Sequence, residues 1–316
     1  MWDISAVLVS YNTIEMTKKA LNCLFASSHN FKMNVIVIDN DSRDHSAEKL
    51  RHDYPHITLL ANKQNVGFGR ANNQALPFID SRYLLLLNTD AFVEADTVAK
   101  TVRYMDDHPS CGILGVKLLA RDGALQPSCR FFPTPWNIFL NRTGLHRLFR
   151  YAQLIDDKNW NPANIQDCDW VPGCYYLIRR EVVNQIGLFD PRFFLYYEEV
   201  DHCYAAKAAG WHVTYYPHTS VIHIGGESAK STGEITTSGR QIKAIQIESE
   251  LLYFRKRHGL SGVLLHLLLN NIADLIQSAK DLFKFKSPVN IIFNLKHSLY
   301  IWKSFFKTRF ATLATR

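Results

Sequence analysis

The sequence lacks the features of several protein classes. It contains no uninterrupted run of about 18 apolar residues, the length that a membrane-spanning helix needs. Its first residues, Met1-Trp-Asp-Ile, lead directly into a strand-like run, so we expect no signal peptide. The six cysteines are scattered, with no C-x-x-C pair and no metal-type grouping. We therefore expect free thiols in a reducing compartment, without structural disulfides or zinc.

The net charge of +7 in this 316-residue chain is concentrated near its end. Residues 251–316 contain eleven Lys and Arg residues and two acidic residues, whereas residues 1–250 contain 25 basic and 27 acidic residues. This distribution argues against a nucleic-acid surface and predicts a local partner for a basic tail. We expect a main domain over residues 1–250 and a helical appendage over residues 251–316.

Short apolar runs alternate with helix-like segments over the first 120 residues, which is typical of βαβ units and a mostly parallel sheet. Three runs end in polar residues: Ser10-Tyr-Asn12, Asp39-Asn-Asp-Ser42 and Asn88-Thr-Asp90. Because the carboxyl ends of parallel strands share one edge of a sheet, these residues are predicted to line a crevice of nucleotide size. The loop around Gly67-Phe-Gly-Arg70 is only a weak dinucleotide fingerprint, because it lacks the third glycine and does not follow the first strand.

The segment Tyr83-Leu-Leu-Leu-Leu-Asn-Thr-Asp90 is the strongest of these patterns. Its four consecutive leucines predict a strand that is buried on both faces. A carboxylate directly after such a strand, Asp90, is well placed to hold a hard divalent cation and, through it, a diphosphate. The alternative is an ordinary turn after a buried strand.

A second dense cluster lies at residues 193–201, where Glu198, Glu199 and Asp201 begin a predicted helix that ends at Gly210. Carboxylates at a helix start stabilise the helix through its macrodipole, which explains part of the cluster. Paired carboxylates beside aromatic rings are also how proteins raise the pKa of a general base, and we favour this interpretation. His223, at the end of a later strand, is either structural or a nitrogen ligand to the ion at Asp90.

Residues 120–165 are rich in proline and aromatic residues and are predicted to be loop-rich. They form either an inserted acceptor-side region or a variable surface loop. Further on, residues 169–180 return to strand character, and residues 211–216 and 219–224 predict two short strands around Pro217.

Eight segments of the chain, in order over residues 3–227, resemble the inverting family-two glycosyltransferases with the GT-A fold. The most similar branch is the bacterial rhamnosyltransferase-like one, which builds O-antigen and related surface glycans. Each segment is weak evidence by itself, but eight in order are specific. The resemblance implies an α/β GT-A fold, Rossmann-like with a mostly parallel sheet, that carries a helical, basic C-terminal appendage. The segments are residues 7–12, 37–42, 65–73, 86–90, 171–173, 187–190, 194–201 and 223–226.

The resemblance also implies roles for individual residues. Asp39 would accept hydrogen bonds from a pyrimidine base, and Asp90 would ligate Mg²⁺ or Mn²⁺ together with His223. Glu199 would be the catalytic base, while Trp170 and Gly173 would face the acceptor. The residues implied to bind the nucleotide sugar are Ser10, Tyr11, Asn12, Asp39, Asn65, Arg70, Asn88 and Asp90.

Two positions depart from the usual pattern of the family. The metal-binding triplet begins with Asn88 where the family usually has Asp, although Asn is common in the rhamnosyltransferase-like branch. The position of the base holds Glu199 where the family usually has Asp. Because the longer side chain moves the carboxylate by about one methylene, Glu198 and Asp201 are alternative bases.

The implied reaction is the inverting transfer of a sugar to a polyprenyl-diphosphate-linked glycan, with L-rhamnose from dTDP-rhamnose as the donor sugar of this branch. The ion neutralises the leaving diphosphate, and one carboxylate deprotonates the acceptor hydroxyl. A UDP-hexose donor and a catalytically inactive nucleotide-sugar-binding protein are alternatives, the latter because of Asn88. A nucleotidyltransferase would need a Gly-rich basic loop after the first strand, which Ser10-Tyr-Asn-Thr13 does not provide.

The tail contains two apolar, helix-like segments within residues 263–310. Lys296, Lys303 and Lys307 fall on one helical face at spacings of seven and four residues, and apolar residues fill much of the remaining surface. A basic amphipathic helix with aromatics binds an anionic membrane surface. The alternative is a helix that packs on the domain or on a second subunit of a homo-oligomer. The lipid-linked acceptor favours the membrane, and hence a cytoplasmic protein that is peripheral on the inner face of the cell membrane.

Overall fold

The computed structural model describes residues 1–27, 31–149, 160–225, 240–284 and 288–316. Gly226, the last residue of the eighth matching segment, lies outside these ranges. The chain divides into two compact units. Unit 1 consists of Met1–Arg130, Asn159–Pro191 and Glu198–Ile242, and unit 2 of Phe131–Lys158, Arg192–Tyr197 and Lys243–Arg316. The functional domain boundary expected at residue 250 stays a prediction.

Ten strands of the described residues form one mixed sheet in unit 1. The strands are β1 (Trp2–Ser10), β2 (Met33–Asp39), β3 (Thr58–Ala61), β4 (Ser81–Leu87), β5 (Ala91–Val93), β6 (Cys111–Leu119), β7 (Leu125–Gln126), β8 (Gln166–Asp167), β9 (Tyr175–Arg179) and β10 (His212–His223). Their order is β3-β2-β1-β4-β9-β6-β10-β5, with β7 paired to β6 and β8 paired to β10. The first four strands in this order are parallel, and β9 is antiparallel to both of its neighbours.

The helices alternate with the strands in unit 1 and dominate unit 2. They are α1 (Ile14–Ala26), α2 (Ser46–Asp53), α3 (Phe68–Asn73), α4 (Thr97–Asp107), α5 (Pro135–Thr143), α6 (Arg180–Ile186), α7 (Glu198–Ala208), α8 (Arg240–Phe283) and α9 (Pro288–Lys307), with 3₁₀ turns at Leu76–Phe78 and Leu145–Leu148. Strands followed by helices in this sequence confirm the predicted α/β class.

The core of unit 1 lies on both faces of β4. Leu84, Leu85 and Leu86 are fully buried, as four consecutive leucines predict for a strand inside a covered sheet. The parallel register places Ser10 opposite Asp39, at the carboxyl ends of β1 and β2. The polar residues that follow these strands therefore emerge at the same edge of the sheet as those that follow β4, as predicted.

Two predictions of local structure are wrong, and a third region contains a helix that the prediction did not include. The loop predicted around Gly67 contains α3, which begins after Gly67 adopts a positive φ of 88°. The region predicted to be loop-rich at residues 120–165 contains α5, which the Thr134 side chain caps by accepting a hydrogen bond from the Asn137 backbone. The two short strands predicted around Pro217 are one strand, β10, whose register with β6 shifts between Tyr216 and Ser220.

The expectation that all six cysteines are free thiols is also wrong, because Cys129 and Cys168 form a disulfide. Arg130 and Trp170 pair as an antiparallel bridge beside them, which brings the two cysteine Cα atoms to 5.4 Å. Spacing alone did not reveal a bond between residues 39 positions apart. The free thiols are Cys23, Cys111, Cys174 and Cys203.

Unit 2 buries several polar side chains and exposes several large apolar ones. His266, Asn270 and Asp274 of α8 are buried, and they help to line a cavity of about 310 Å³. Apolar side chains of α8 and α9 are exposed instead: Leu268, Leu275, Phe283, Val289, Ile292, Leu295, Leu299 and Phe306. These buried polar and exposed apolar side chains occur beside an apolar core of unit 2 that includes Leu252, Phe254 and Phe305.

One helix among the described residues, over Lys243–Phe283, is long and apolar enough to cross a membrane by length and composition, because a window of 18 residues within it has a mean hydropathy of 1.5. The search for uninterrupted apolar runs missed this segment because polar residues such as Asn270 interrupt it. Gly259, with φ of 67°, breaks α8 into two helical pieces. The segment is therefore weak evidence for a membrane span.

Candidate active site

The carboxyl end of β2 presents Asp39 next to the loop that follows β1. The Asp39 Oδ2 accepts a hydrogen bond from the Ser42 backbone nitrogen at 3.2 Å. Its Oδ1 has no hydrogen-bond partner among the described residues. Burial raises the pKa of the Asp39 carboxyl, although the Ser42 hydrogen bonds oppose this shift. One oxygen of a buried carboxylate is thus left for a donor group of a ligand.

Asn12 joins the loops that follow β1 and β2. Its backbone nitrogen donates to Ser42 Oγ at 2.9 Å, and its Oδ1 accepts from the Arg43 backbone nitrogen at 2.6 Å. Asn12 has a φ of 54°, a left-handed conformation that asparagine tolerates better than most residues. Of its predicted neighbours, Tyr11 is partly exposed, whereas the buried Ser10 hydroxyl bonds with the Thr17 hydroxyl at 3.0 Å.

Asn65 and Arg70 flank the start of α3. The Asn65 Oδ1 accepts hydrogen bonds from Asn40 Nδ2 at 2.8 Å and from the Gly67 backbone nitrogen at 2.9 Å, so Asn65 shapes the loop before the helix. The Arg70 Nε donates to the Pro191 carbonyl at 2.6 Å. The structure thus ties both residues to neighbouring loops of unit 1.

Asp90 and His223 come together although they are far apart in the sequence. The antiparallel pairing of β5 with β10 places Ala91 opposite His223, which brings the His223 Nε2 to 3.7 Å from the Asp90 Oδ1. Asp90 is 6% exposed. Burial lowers the pKa of the His223 imidazole, while the charge of Asp90 acts in the opposite direction. A neutral imidazole beside a carboxylate is a suitable ligand pair for a divalent cation.

Asn88 lies two residues before Asp90 in the chain and also has an amide oxygen that could bind a cation. Its backbone nitrogen donates to the Cys174 carbonyl at 3.0 Å, and its buried Oδ1 has no hydrogen-bond partner within the described part of the chain. No group of three His, Cys, Asp or Glu residues that could hold a metal ion occurs among the described residues. The donor set fits a cation that completes its shell with substrate phosphates and water, as Mg²⁺ commonly does.

The first turn of α7 carries the three carboxylates that are candidates for the base. Glu198 and Asp201 are each 3% exposed, whereas Glu199 is partly buried. Burial raises the pKa of the Glu199 carboxyl, although backbone hydrogen bonds and the charge of Arg130 oppose the shift. The Glu199 Oε2 has no hydrogen-bond partner in the described chain. These properties suit a carboxylate that accepts a proton from a substrate.

The segment that contains Gly173 and Cys174 contacts both Asn88 and Glu199. A Cβ atom added to Gly173 would lie 3.7 Å from the Glu199 Cβ, so the glycine backbone packs along the Glu199 side chain. Burial raises the pKa of the Cys174 thiol to about 12, and the charges of Asp90 and Glu199 both add to this shift. Asp90 and Glu199 therefore lie within electrostatic range of one and the same side chain.

Sequence reasoning missed two residues of this region. The guanidinium of Arg130 lies 4.9 Å from the centre of the buried Trp170 ring and acts electrostatically on Glu199. Gln126 bonds to both the ring and the backbone of His223. Neither residue carries a sequence signal, because Arg130 and Gln126 belong to a proline-containing stretch that reads as a loop. The pairing of β7 with β6 places Gln126 at the site, and the bridge between Arg130 and Trp170 places Arg130 there.

Residues 5–187 match the family described as glycosyl transferase family 2. The chain belongs to glycosyl transferase family 2. The predicted membership is thereby confirmed, and with it the prediction that the protein is an inverting glycosyltransferase. The family match covers the strands that carry Asp39, Asp90 and Gly173 but ends before Glu199 and His223.

Relatives of this glycosyltransferase are similar over most of their lengths. N-acetylglucosaminyl-diphospho-decaprenol L-rhamnosyltransferase of Mycobacterium tuberculosis is 27% identical, over 72% of this chain and 76% of the relative. Rhamnosyltransferase WbbL of Escherichia coli K12 is 24% identical, over 71% of this chain and 84% of the relative. The dTDP-rhamnosyl transferase RfbF of Shigella flexneri is 22% identical, over 81% of both chains.

Solved structures of other transferases share the fold of this glycosyltransferase. The mannosyltransferase PcManGT of Pyrobaculum calidifontis, in complex with GDP-Man and Mn²⁺, aligns with a TM-score of 0.56 and 12% identity over 98% of this chain and 87% of that chain. Residues 1–349 of S. aureus TarS align with a TM-score of 0.51 and 13% identity over 95% of this chain and 91% of that chain. The predicted GT-A fold is confirmed.

Proposed function

We propose that this glycosyltransferase moves L-rhamnose from dTDP-rhamnose to a polyprenyl-diphosphate-linked glycan during the synthesis of a surface polysaccharide. The observation that carries the proposal is the arrangement around Cys174. Asp90, which lies 3.7 Å from the His223 Nε2 and is suited with it to a metal-bound diphosphate, and Glu199, suited to a base, both raise the pKa of this thiol. A transferase needs both functions within the length of one sugar.

The residues on the donor side would bind and orient the nucleotide sugar. Asp39, with one oxygen available, would accept hydrogen bonds from the pyrimidine base. Asp90 and His223 would hold Mg²⁺ or Mn²⁺, with the Asn88 Oδ1 directed toward the same ion or its water shell. The ion would supply Lewis-acid neutralisation of the charge that develops on the leaving diphosphate.

Glu199 would perform the proton transfer. Its carboxylate takes the proton of the acceptor hydroxyl, whose oxygen attacks the anomeric carbon while the bond from that carbon to the diphosphate oxygen breaks. The displacement inverts the anomeric centre through an oxocarbenium-like transition state and needs no nucleophilic residue. Burial favours this role, because a raised pKa of the Glu199 carboxyl brings it closer to the pH at which a general base works best.

The relatives support the choice of sugar and acceptor. Three proteins that align over most of their lengths are named as rhamnosyltransferases, and the name of the M. tuberculosis protein specifies a decaprenyl diphosphate acceptor. An extended prenyl chain requires that the enzyme work at a membrane surface. The exposed apolar and basic side chains of unit 2 support a location on the inner face of the cell membrane.

We further propose that α9 and the second half of α8 lie on an anionic bilayer. Their exposed apolar side chains include Leu268 and Leu275 of α8 and Leu299 of α9. The α9 helix also carries exposed lysines. This combination of apolar area with positive charge complements a bilayer with anionic headgroups. A second copy of the chain would gain no such attraction from its own basic surface.

A donor panel tests the proposed reaction. Purified protein is incubated with Mn²⁺ or Mg²⁺, a lipid-linked N-acetylglucosaminyl diphosphate acceptor, and each of dTDP-rhamnose, UDP-glucose, UDP-galactose and UDP-N-acetylglucosamine. We expect nucleotide release together with a mass gain of one deoxyhexose on the glycan only with dTDP-rhamnose. Turnover with a UDP-hexose alone would show that the donor is that UDP-hexose and not dTDP-rhamnose. Nucleotide binding without turnover of any donor would favour an inactive binding protein.

A further inference from the structure

Gln126 forms hydrogen bonds with both the backbone and the ring of His223. The Gln126 Nε2 donates to the His223 backbone carbonyl at 2.8 Å, and the Gln126 Oε1 lies 2.9 Å from the His223 Nδ1. The two residues meet because β7 and β10 both pair with the end of β6, where Leu118 is the partner of Gln126 as well as of Val221. An amide that makes two bonds to one histidine fixes its ring as well as its backbone.

These bonds determine which ring nitrogen of His223 carries the proton. A backbone carbonyl only accepts hydrogen bonds, so the amide nitrogen of Gln126 must face it. The amide oxygen then faces Nδ1, and since this oxygen only accepts, Nδ1 must be the protonated nitrogen. In the neutral imidazole, the Nε2, which lies 3.7 Å from the Asp90 Oδ1, then has a lone pair.

We propose that Gln126 is a positioning residue that holds His223 in the Nδ1–H tautomer, with its Nε2 lone pair available to a divalent cation beside Asp90. The inference rests on the proposed role of His223 as a metal ligand. Histidines that bind metals commonly donate their other ring N–H to such a partner, and the loss of that partner typically costs 10–100-fold in metal affinity. Gln126 supplies this partner from β7, which pairs with β6.

Three variants of Gln126 and its neighbour test the proposal. Gln126→Leu removes both hydrogen bonds, and we expect Mn²⁺ affinity, measured by EPR titration with dTDP or UDP present, to fall roughly 10–100-fold. Gln126→Glu keeps an acceptor for Nδ1–H and is expected to recover most of this affinity. Ser128→Ala is the matched control, because the Ser128 hydroxyl donates to the Gln126 carbonyl at 2.9 Å within the same turn without bonding to His223. It should leave Mn²⁺ affinity unchanged.

A second readout needs no metal. In metal-free protein with ¹⁵N-labelled histidine, NMR should show His223 protonated at Nδ1 in the wild type and in Gln126→Glu, and a shift toward the Nε2–H tautomer in Gln126→Leu. An unchanged tautomer in Gln126→Leu would overturn the proposal. Equal losses of Mn²⁺ affinity in Gln126→Leu and Ser128→Ala would also overturn it, because they would show that Gln126 only stabilises the turn.

His223→Ala separates this inference from the proposed function. We expect the double variant with Gln126→Leu to bind Mn²⁺ no more weakly than His223→Ala alone, because Gln126 acts through His223. If His223→Ala weakens Mn²⁺ binding but Gln126→Leu does not, the positioning role fails and the metal ligand stands. If His223→Ala leaves Mn²⁺ affinity unchanged, or if the wild type binds no Mn²⁺, both assignments fail.

Discussion

Both units of the chain bury carboxylates, but the surroundings of these carboxylates differ. In unit 1, Asp39 and Glu199 each keep one oxygen without a hydrogen-bond partner among the described residues, and burial raises the pKa of both. In unit 2, Asp274 bonds to His297 and Ser298 and pairs with Arg142. Burial alone would raise the pKa of Asp274, yet these partners bring it below its ordinary value.

Glu250 of unit 2 repeats the pattern of Asp274. Its two oxygens bond to His266 at 2.6 Å and to the Tyr197 hydroxyl at 2.8 Å. Burial alone would raise the pKa of Glu250, and the charge and hydrogen bond of His266 together with the Tyr197 bond lower it. Every oxygen of these two carboxylates has a partner from the chain itself.

The difference distinguishes carboxylates that bind a ligand or take part in a reaction from carboxylates that stabilise the fold. A buried carboxylate oxygen without a partner costs free energy, so such groups persist where a ligand completes them or a reaction uses them. A buried carboxylate with a full set of partners holds helices together and has no capacity left for a substrate. On this argument the active site belongs to unit 1, and the charged cavity of unit 2 is a structural network.

Replacing one of these buried carboxylates is expected to have its largest effect on catalysis. Replacing Glu199 by Gln removes the base without changing its size, and we expect kcat to fall by roughly 10²–10⁴-fold. Donor affinity, measured by calorimetry with dTDP-rhamnose, should stay within about twofold, because the carboxylate acts on the acceptor. For the wild type, the raised pKa of Glu199 predicts that kcat rises with pH, with a midpoint above the ordinary value for glutamate.

Glu199→Asp and the neighbouring carboxylates provide the controls for this prediction. The aspartate retains a base at a shorter reach and should keep part of the activity. Full turnover of Glu199→Gln would reassign the base to Glu198 or Asp201, and the corresponding amide variants would then identify it.

The next largest effect is expected on the stability of unit 2. Arg142→Met leaves the charge of Asp274 buried without its cation, which typically costs about 3–5 kcal/mol. We expect denaturant unfolding to reveal a loss of this order, whereas Lys63→Met, at an exposed position of unit 1, should change stability by less than about 0.5 kcal/mol. An unchanged free energy of unfolding in Arg142→Met would mean that the network does not hold unit 2 together.

A smaller effect is expected on thermal stability, and its sign should be opposite for the carboxylates of the two units. Because the folded-state pKa of Glu199 is raised, its contribution to stability is complete below the unfolded pKa and is lost as pH rises through the folded pKa. Glu199→Gln should therefore raise Tm at pH 7 by a few degrees, a gain of about 1 kcal/mol, and the gain should vanish near pH 4. Thermal unfolding at the two pH values measures it.

Asp274→Asn is the counterpart in unit 2. The lowered pKa of Asp274 means that its stabilisation is complete above the unfolded pKa and is lost as pH falls through the folded pKa. The amide variant should therefore lower Tm at pH 7, and this loss should shrink in acid. Shifts of the same sign in Glu199→Gln and Asp274→Asn would contradict the distinction between the two kinds of buried carboxylate.

The sequence predicted the elements of unit 1 because local patterns determine them. Four leucines in a row required a buried strand, and polar residues after parallel strands required a shared edge. What it could not provide are contacts between distant segments: the Cys129–Cys168 disulfide and the Gln126–His223 pair. These depend on which short strands pair with β6, and a two-residue strand such as β7 has no periodicity to read.

The smallest expected effect concerns the outer surface of unit 2. A single lysine near an anionic bilayer contributes about 1 kcal/mol, so Lys303→Gln should weaken binding to phosphatidylglycerol-containing vesicles by roughly fivefold. Lys63→Gln, which removes the same charge from unit 1, should leave vesicle binding unchanged. Flotation of both variants on vesicles with and without anionic lipid measures the effect. If Lys303→Gln instead changes the sedimentation coefficient of the lipid-free protein, the basic face of α9 binds another subunit, and the exposed apolar residues of unit 2 are an interface between copies of the chain.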